Sequence, residues 1–197
     1  MAKTWSHPKL GRFEYEGMGW SRIVDLPVFK AFSYDTGYSN APRSTGKHSL
    51  VFGASSESEV PPPDEIELAE AILSNQKDLV GVVTSALWED FNGRRPDSGM
   101  WWHGDFETVA RSFKELRLSP PSKADDLLPT LQLNKILIPR RFPDYEKLLA
   151  ELNFHAAFEE EHGVSVLTDG QSVLGAGYNL DVLPFDYKPR PRRSPFG

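Results

Sequence analysis

Val164-Ser165-Val166-Leu167-Thr168-Asp169-Gly170-Gln171-Ser172-Val173-Leu174-Gly175-Ala176 reads as two β runs around a turn. Apolar and β-branched residues crowd both sides, and Asp-Gly between such runs is the strongest short hairpin signal, through a type I′ turn. Two-residue closure pairs Thr168 with Gln171 and Val166 with Val173. Upstream, residues 147–158 alternate, with Leu148, Ala150, Leu152, Phe154 and Ala156 on one face. Before them, residues 130–138 alternate through Leu131 and Leu133 into Ile136-Leu137-Ile138. Downstream, residues 178–185 trail off as a last strand or a packed arm.

The N-terminal end is also β. Residues 10–16 (L-G-R-F-E-Y-E) place Phe13 and Tyr15 on one face and Arg12, Glu14 and Glu16 on the other. A Gly-rich turn leads into a second strand over 20–26, and Val28–Phe32 is expected to extend the sheet. Residues 48–53 (H-S-L-V-F-G) form a third strand. The middle is helical. After the proline run at Pro61–Pro63, apolar residues recur at Ile66, Ala69, Leu73, Val80, Val83 and Leu87, in steps of three, four or seven. Ser74-Asn75-Gln76 interrupts the pattern, so two helices are expected over 64–74 and 77–91, or one bent helix. Asp64 serves as N-cap or in the first turn, and Gly93 as C-cap. A third helix over 106–116 follows a candidate N-cap at Asp105.

Strands, then helices, then strands define an α+β domain. Its sheet, antiparallel or mixed, draws on N- and C-terminal strands and packs against about three central helices. The domain is expected over 1–185, with a disordered Pro/Arg-rich tail over 186–197.

Composition narrows the function classes. The chain has 197 residues and no cysteine, which excludes disulfides, thiolate metal sites and thiol nucleophiles. It carries no leader pattern and no apolar run near the ~20 residues of a membrane span, so a cytoplasmic protein without membrane partners is expected. Net charge is −6, and the last twelve residues carry +3, leaving −9 on the rest. An acidic body repels phosphate backbones, which argues against nucleic acid as the main partner. No phosphate loop, dinucleotide loop or nucleophile elbow occurs, and no cofactor is implied.

Two segments concentrate groups able to bind or react. Residues 90–105 (D-F-N-G-R-R-P-D-S-G-M-W-W-H-G-D) join adjacent tryptophans to arginines and a histidine. Trp101 and Trp102 would line a binding patch with His103 and Asp105, and Arg94 or Arg95 would anchor an anion, because Trp and Arg dominate interface hot spots. The competing reading has one tryptophan plug a gap between helix and sheet. Residues 153–169 hold His155, Glu159, Glu161, His162 and Asp169. His155, Glu161 and His162 are a candidate metal set, since histidine plus carboxylate suits zinc or iron, but the spacing is not that of the helical metalloprotease motif. The competing reading makes Glu159–His162 a charged turn or bulge, with Gly163 in a backbone region other residues avoid.

With residues 154–170 (F-H-A-A-F-E-E-E-H-G-V-S-V-L-T-D-G) quoted, the chain resembles an uncharacterised bacterial domain family of unknown function, whose C-terminal part carries an E-H-G step and a closing β-hairpin. Residues 10–16 and 90–105 also look like segments of its closer members. The resemblance spans most of residues 8–185 and carries over no catalytic residue. Small acidic α+β domains of this type recur among bacterial immunity proteins, an analogy of type alone. The first expectation is therefore a non-enzymatic protein–protein interaction module, immunity-like or regulatory. The alternative is a small-ligand or metal-dependent enzyme using His103, His155, Glu161, His162 and Asp105. A purely structural, oligomer-closing subunit is a third.

Overall fold

The computed structural model describes residues 3–35, 45–92, 111, 113–115 and 117–188, with backbone alone at Glu160. They build one eight-stranded mixed sheet whose spatial order equals its order in sequence. Strands β1 (Thr4–His7), β2 (Gly11–Tyr15), β3 (Gly19–Asp25) and β4 (Lys47–Gly53) run antiparallel, each to the next. So do β5 (Leu131–Arg140), β6 (Leu149–Ala156), β7 (Glu159–Thr168) and β8 (Val173–Tyr178). The two meanders join where β4 pairs parallel to β5. A parallel join needs a long crossover. Residues 54–130 supply it, with α1 (Pro63–Ser74) and α2 (Gln76–Phe91) inside.

The sequence places both helices within a residue of their observed ends. Pro63 occupies the first turn, where its missing N–H is no loss, and Asp64 and Glu65 follow at the positive end of the helix dipole. Arg141 ties this turn to the end of β5, its Nη2 donating to Glu65 Oε1 at 3.1 Å. Burial raises the Glu65 pKa, and Arg141 offsets part of that rise. Asn75 ends α1 and opens α2, and its Nδ2 donates to Gly170 O at 3.2 Å.

Both helices cover one face of the sheet. Leu68, Ile72, Leu79, Val83 and Leu87 share a core with Phe13, Leu50, Phe52, Ile136, Leu152, Phe154 and Val166. This face includes Ala150, Leu152, Phe154 and Ala156, as the alternation requires. Each fully buried large apolar side chain stabilises by roughly 1.5–3 kcal/mol.

Several expectations need correction. Residues 27–31 form a 3-10 turn, and the sheet gains no strand there. Pro27 lacks a ladder donor, and Phe29 and Phe32 are drawn fully into the core. The β7–β8 connection is four residues long: Thr168 pairs with Val173 and Val166 with Ala176. Asp169 decides this, its Oδ1 accepting from the N–H groups of Gln171 and Ser172 at 3.0 and 2.8 Å. Positive φ occurs at Gly170 alone in that loop, so the turn is not type I′. The Glu159–His162 segment is not the turn, which falls at Ala157-Phe158. It lies within β7 at the bulge the competing reading allowed, where Phe154 pairs with Val164 and Ala156 with Glu159, and Gly163 has φ +75°. Phe158 is pulled against Phe91 and Phe113, at ring separations of 5.6 and 5.9 Å, which turns the chain before the charges arrive. Strand β1 was not expected; Trp5 holds it to Phe13 at 5.0 Å.

Residues 179–185 are a packed arm. The Phe185 N–H donates to Leu174 O at 2.7 Å, and Val182 packs on Leu149 and Leu167. Asp186 and Tyr187, expected to open the tail, remain packed beside Tyr145 and Phe142. The rest of the expected tail, 189–197, lies outside the described residues. So does most of the expected third helix, of which Arg111 and residues 113–115 are helical.

One core group, a histidine, couples stability to pH. His48 is 3% exposed, its Nδ1 lies 2.9 Å from Leu133 O, and among the described residues its Nε2 has no partner. Burial lowers its pKa. The unfolded chain therefore takes up a proton below about pH 6.5 while the folded chain resists it. This contribution is full above that value and is lost as pH falls to the folded value. His155 shifts the same way. Glu65, with a raised pKa, acts oppositely at lower pH. Urea denaturation at about pH 7 and about pH 5 should show wild type losing stability on acidification, with a smaller loss in His48→Asn. An unchanged pH dependence in the variant would rule out His48 as a source.

Candidate functional site

The face of the sheet away from the helices buries polar groups beside the apolar residues Leu149 and Leu167. Strand register sets Ser49, Lys135, Asn153 and Ser165 in one row, and Val51, Leu137, Glu151 and Leu167 in the next. Glu151, Asn153 and Ser165 are 3%, 6% and 0% exposed. Such groups stay buried only when hydrogen-bonded. Here the Ser165 hydroxyl lies 2.7 Å from both Glu151 Oε1 and Asn179 Oδ1. Serine has a single proton, and the carboxylate is the stronger acceptor. Asn153 then satisfies Asn179 Oδ1, donating from Nδ2 at 2.6 Å. Asn134 donates to Asn153 Oδ1 at 3.3 Å, and Asn179 Nδ2 donates to His162 O at 3.0 Å.

The arm covers the β6–β8 half of this face, and the β3–β5 half is left open as a cavity of about 470 Å³. Ser21, Ser49, Lys135, Arg140 and Glu151 line it, with Glu16 and Met18 at the β2–β3 turn. The Ser21 and Ser49 hydroxyls are 3.3 Å apart. Arg140 is fixed from two sides. Its Nε lies 3.0 Å from Glu151 Oε2, an ion pair not aligned as a hydrogen bond, and its guanidinium sits 5.5 Å above the Phe142 ring. Lys135 is half-buried, and among the described residues no carboxylate lies within ion-pair distance of it. His155 shares this face; desolvation first, then the charge of Lys135, lowers its pKa.

The expected metal set is not brought together. His155 pairs with Gln132 on the open face. His162 Nδ1 accepts from or donates to the Tyr178 hydroxyl at 2.6 Å, and Tyr178 falls two residues after Ala176, on the helix-bearing side. Glu161 is well exposed, its Oε1 3.9 Å from His162 Nε2. Among the described residues no group of three or more His, Asp or Glu is placed to hold a metal ion. The His162–Tyr178 pair instead clamps β7 to β8 beside Gly163. The other expected binding residues, Arg94, Arg95, Trp101, Trp102, His103 and Asp105, lie outside the described residues.

Sequence reading missed Ser21, Ser49, Lys135, Arg140 and Glu151. A signal was available: Glu151, Asn153 and His155 are the complement of the apolar alternation through Leu152 and Phe154. Polar groups at every second position of a strand in mid-sheet mark a face the helices do not cover.

No family model, curated protein or solved structure matches the chain. No helix among the described residues is long and apolar enough to cross a membrane.

Proposed function

We propose that the chain is a non-enzymatic protein–protein interaction module whose working surface is the open face of the sheet. One observation carries this reading: the cavity holding Lys135, Arg140 and Glu151 is lined by Met18, 86% exposed, and Ile23, 58% exposed, pairs with the lining residue Ser49. Exposed apolar groups around fixed charges suit a partner surface, where the apolar contacts give affinity and the charges set register. The cavity holds fixed recognition groups and two hydroxyls paired with each other. The acidic charge of the chain and its α+β type favour an immunity-like or regulatory role, by analogy of type.

The test is photo-crosslinking in the native host, with a photoreactive residue at Ile23 or, as control, at Val82 on α2, which is also exposed. A discrete adduct at Ile23 and none at Val82 is expected. Adducts equal at both positions, or absent at Ile23, would defeat the reading.

A further inference from the structure

The geometry points to a carboxylate-binding site in the open-face cavity, taking one Asp or Glu side chain from an extended, otherwise apolar segment of a partner protein. This rests on the interaction-module reading and adds the chemistry of the partner.

The charge balance selects the ligand. Arg140 and Glu151 are an internal pair, 3.0 Å apart, and Ser165 holds Glu151 from behind. Glu16 is exposed at the rim, where water screens it. Lys135 remains: half-buried, lining the cavity, with no carboxylate within ion-pair distance of it among the described residues. Covering such a cation without a counter-charge is costly, so an occupant that seals the cavity gains most by bringing one negative charge. Two features complete the recognition set. Glu151 and the Phe142 ring orient Arg140, and among the described residues its Nη1 and Nη2 donate to nothing, leaving the fork available. The Ser21–Ser49 hydroxyl pair stands opposite on β3 and β4.

The same balance disfavours a phosphate. A dianion would leave a second charge facing Glu151 and Glu16, while a carboxylate matches Lys135 one to one and suits the planar guanidinium fork. The cavity, about 470 Å³, has room for a few side chains, and Met18, Ile23, Val51 and Leu137 provide apolar flanks. A single acidic residue between apolar neighbours fits that surface. A run of acidic residues does not, since the chain as a whole carries −6.

The experiment uses the full chain and three short synthetic peptides, followed by amide NMR. The first is capped at both ends, with one Glu among apolar residues. The second replaces that Glu with Gln. The third lacks Glu but has a free C-terminal carboxylate. Saturable shifts at Ser21, Ser49 and Lys135 with the first peptide are expected, with binding weakened about tenfold for the second, the size of one charge-assisted hydrogen bond. Lys135→Met keeps the aliphatic stem and should weaken the first peptide by a similar factor, Lys135→Arg should restore most of it, and Lys77→Met on α2 should change nothing. Equal binding of the Glu and Gln peptides overturns the proposal. So does preference for the third peptide, which would assign the site to a chain terminus. Crosslinking from Ile23 in the Lys135→Met chain separates the two readings. Adducts that persist undiminished leave the module standing and sink the carboxylate site, whereas no adduct in the wild-type chain sinks the module itself.

Discussion

Gly163→Ala is expected to cost about 2–5 kcal/mol, against about 1–2 kcal/mol for Gly17→Ala. Both glycines sit at nearly the same positive φ, +75° and +79°. Both substitutions therefore carry the same left-handed backbone penalty. They differ in surroundings. A Cβ at Gly163 would lie 2.0 Å from the carbonyl oxygen of Phe154, on the neighbouring strand, while nothing among the described residues lies within 4 Å of one at Gly17. A backbone carbonyl cannot swing aside as a flexible side chain can. The ladder between β6 and β7 must open where it is already irregular, between Phe154 and Ala156. Denaturant midpoints of the two variants measure the difference directly. Equal losses would mean that the bulge relaxes freely and that Gly163 is required for its dihedral alone.

Phe154→Ala should lose about 3–5 kcal/mol, with a lower denaturant midpoint. Phe154 is 1% exposed, pairs with Leu133 and Val164 on its two neighbouring strands, and meets the Phe32 ring edge-on at 5.0 Å. Its removal leaves a void bounded by strands that pair on both sides and by Phe32, which follows the 3-10 turn, none of which is free to collapse inward. Leu180→Ala on the arm, where the side chain is 60% exposed, should stay within about 0.5 kcal/mol of wild type. A Phe154→Ala loss as small as that of Leu180→Ala would show that this core repacks, contrary to the rigid layer inferred from its strand pairing.

These expectations bear on the site, because the same strands present their other side to it. Phe154 lies between Asn153 and His155 in β6, so loosening the strand moves the open face as well. Lys135 and Asn153 keep their row only while β5 and β6 keep register, and that register already shifts between Leu133 and Lys135. The extra residue there, Asn134, re-aims the strand so that Ile136 returns to the core and Lys135 to the cavity. Bulges commonly re-aim a side chain in this way.

Local sequence sets the alternation of Leu152 and Phe154, the helical recurrence from Ile66 to Leu87 with its break at Asn75, and the positive-φ glycines at 163 and 170. These are local matters: a period of two or 3.6, a cap, a positive φ. They are written in neighbouring residues, which is why the helix bounds match to within one residue. Tertiary structure alone decided that β4 and β5 pair parallel, which depends on how 77 residues between them fold back. It decided the β7–β8 register, where the Asp169 side chain and the packing of Gly170 on α1 overrode the commoner two-residue turn. It decided that Glu159–His162 lies in a strand, because Phe158 is claimed by Phe91 and Phe113. And it assembled Ser21, Ser49, Lys135, Arg140 and Glu151, drawn from four strands, into one cavity. No period in the sequence encodes that meeting, since strand pairing over long separations is fixed only when the whole sheet buries one face against the helices and leaves the other open.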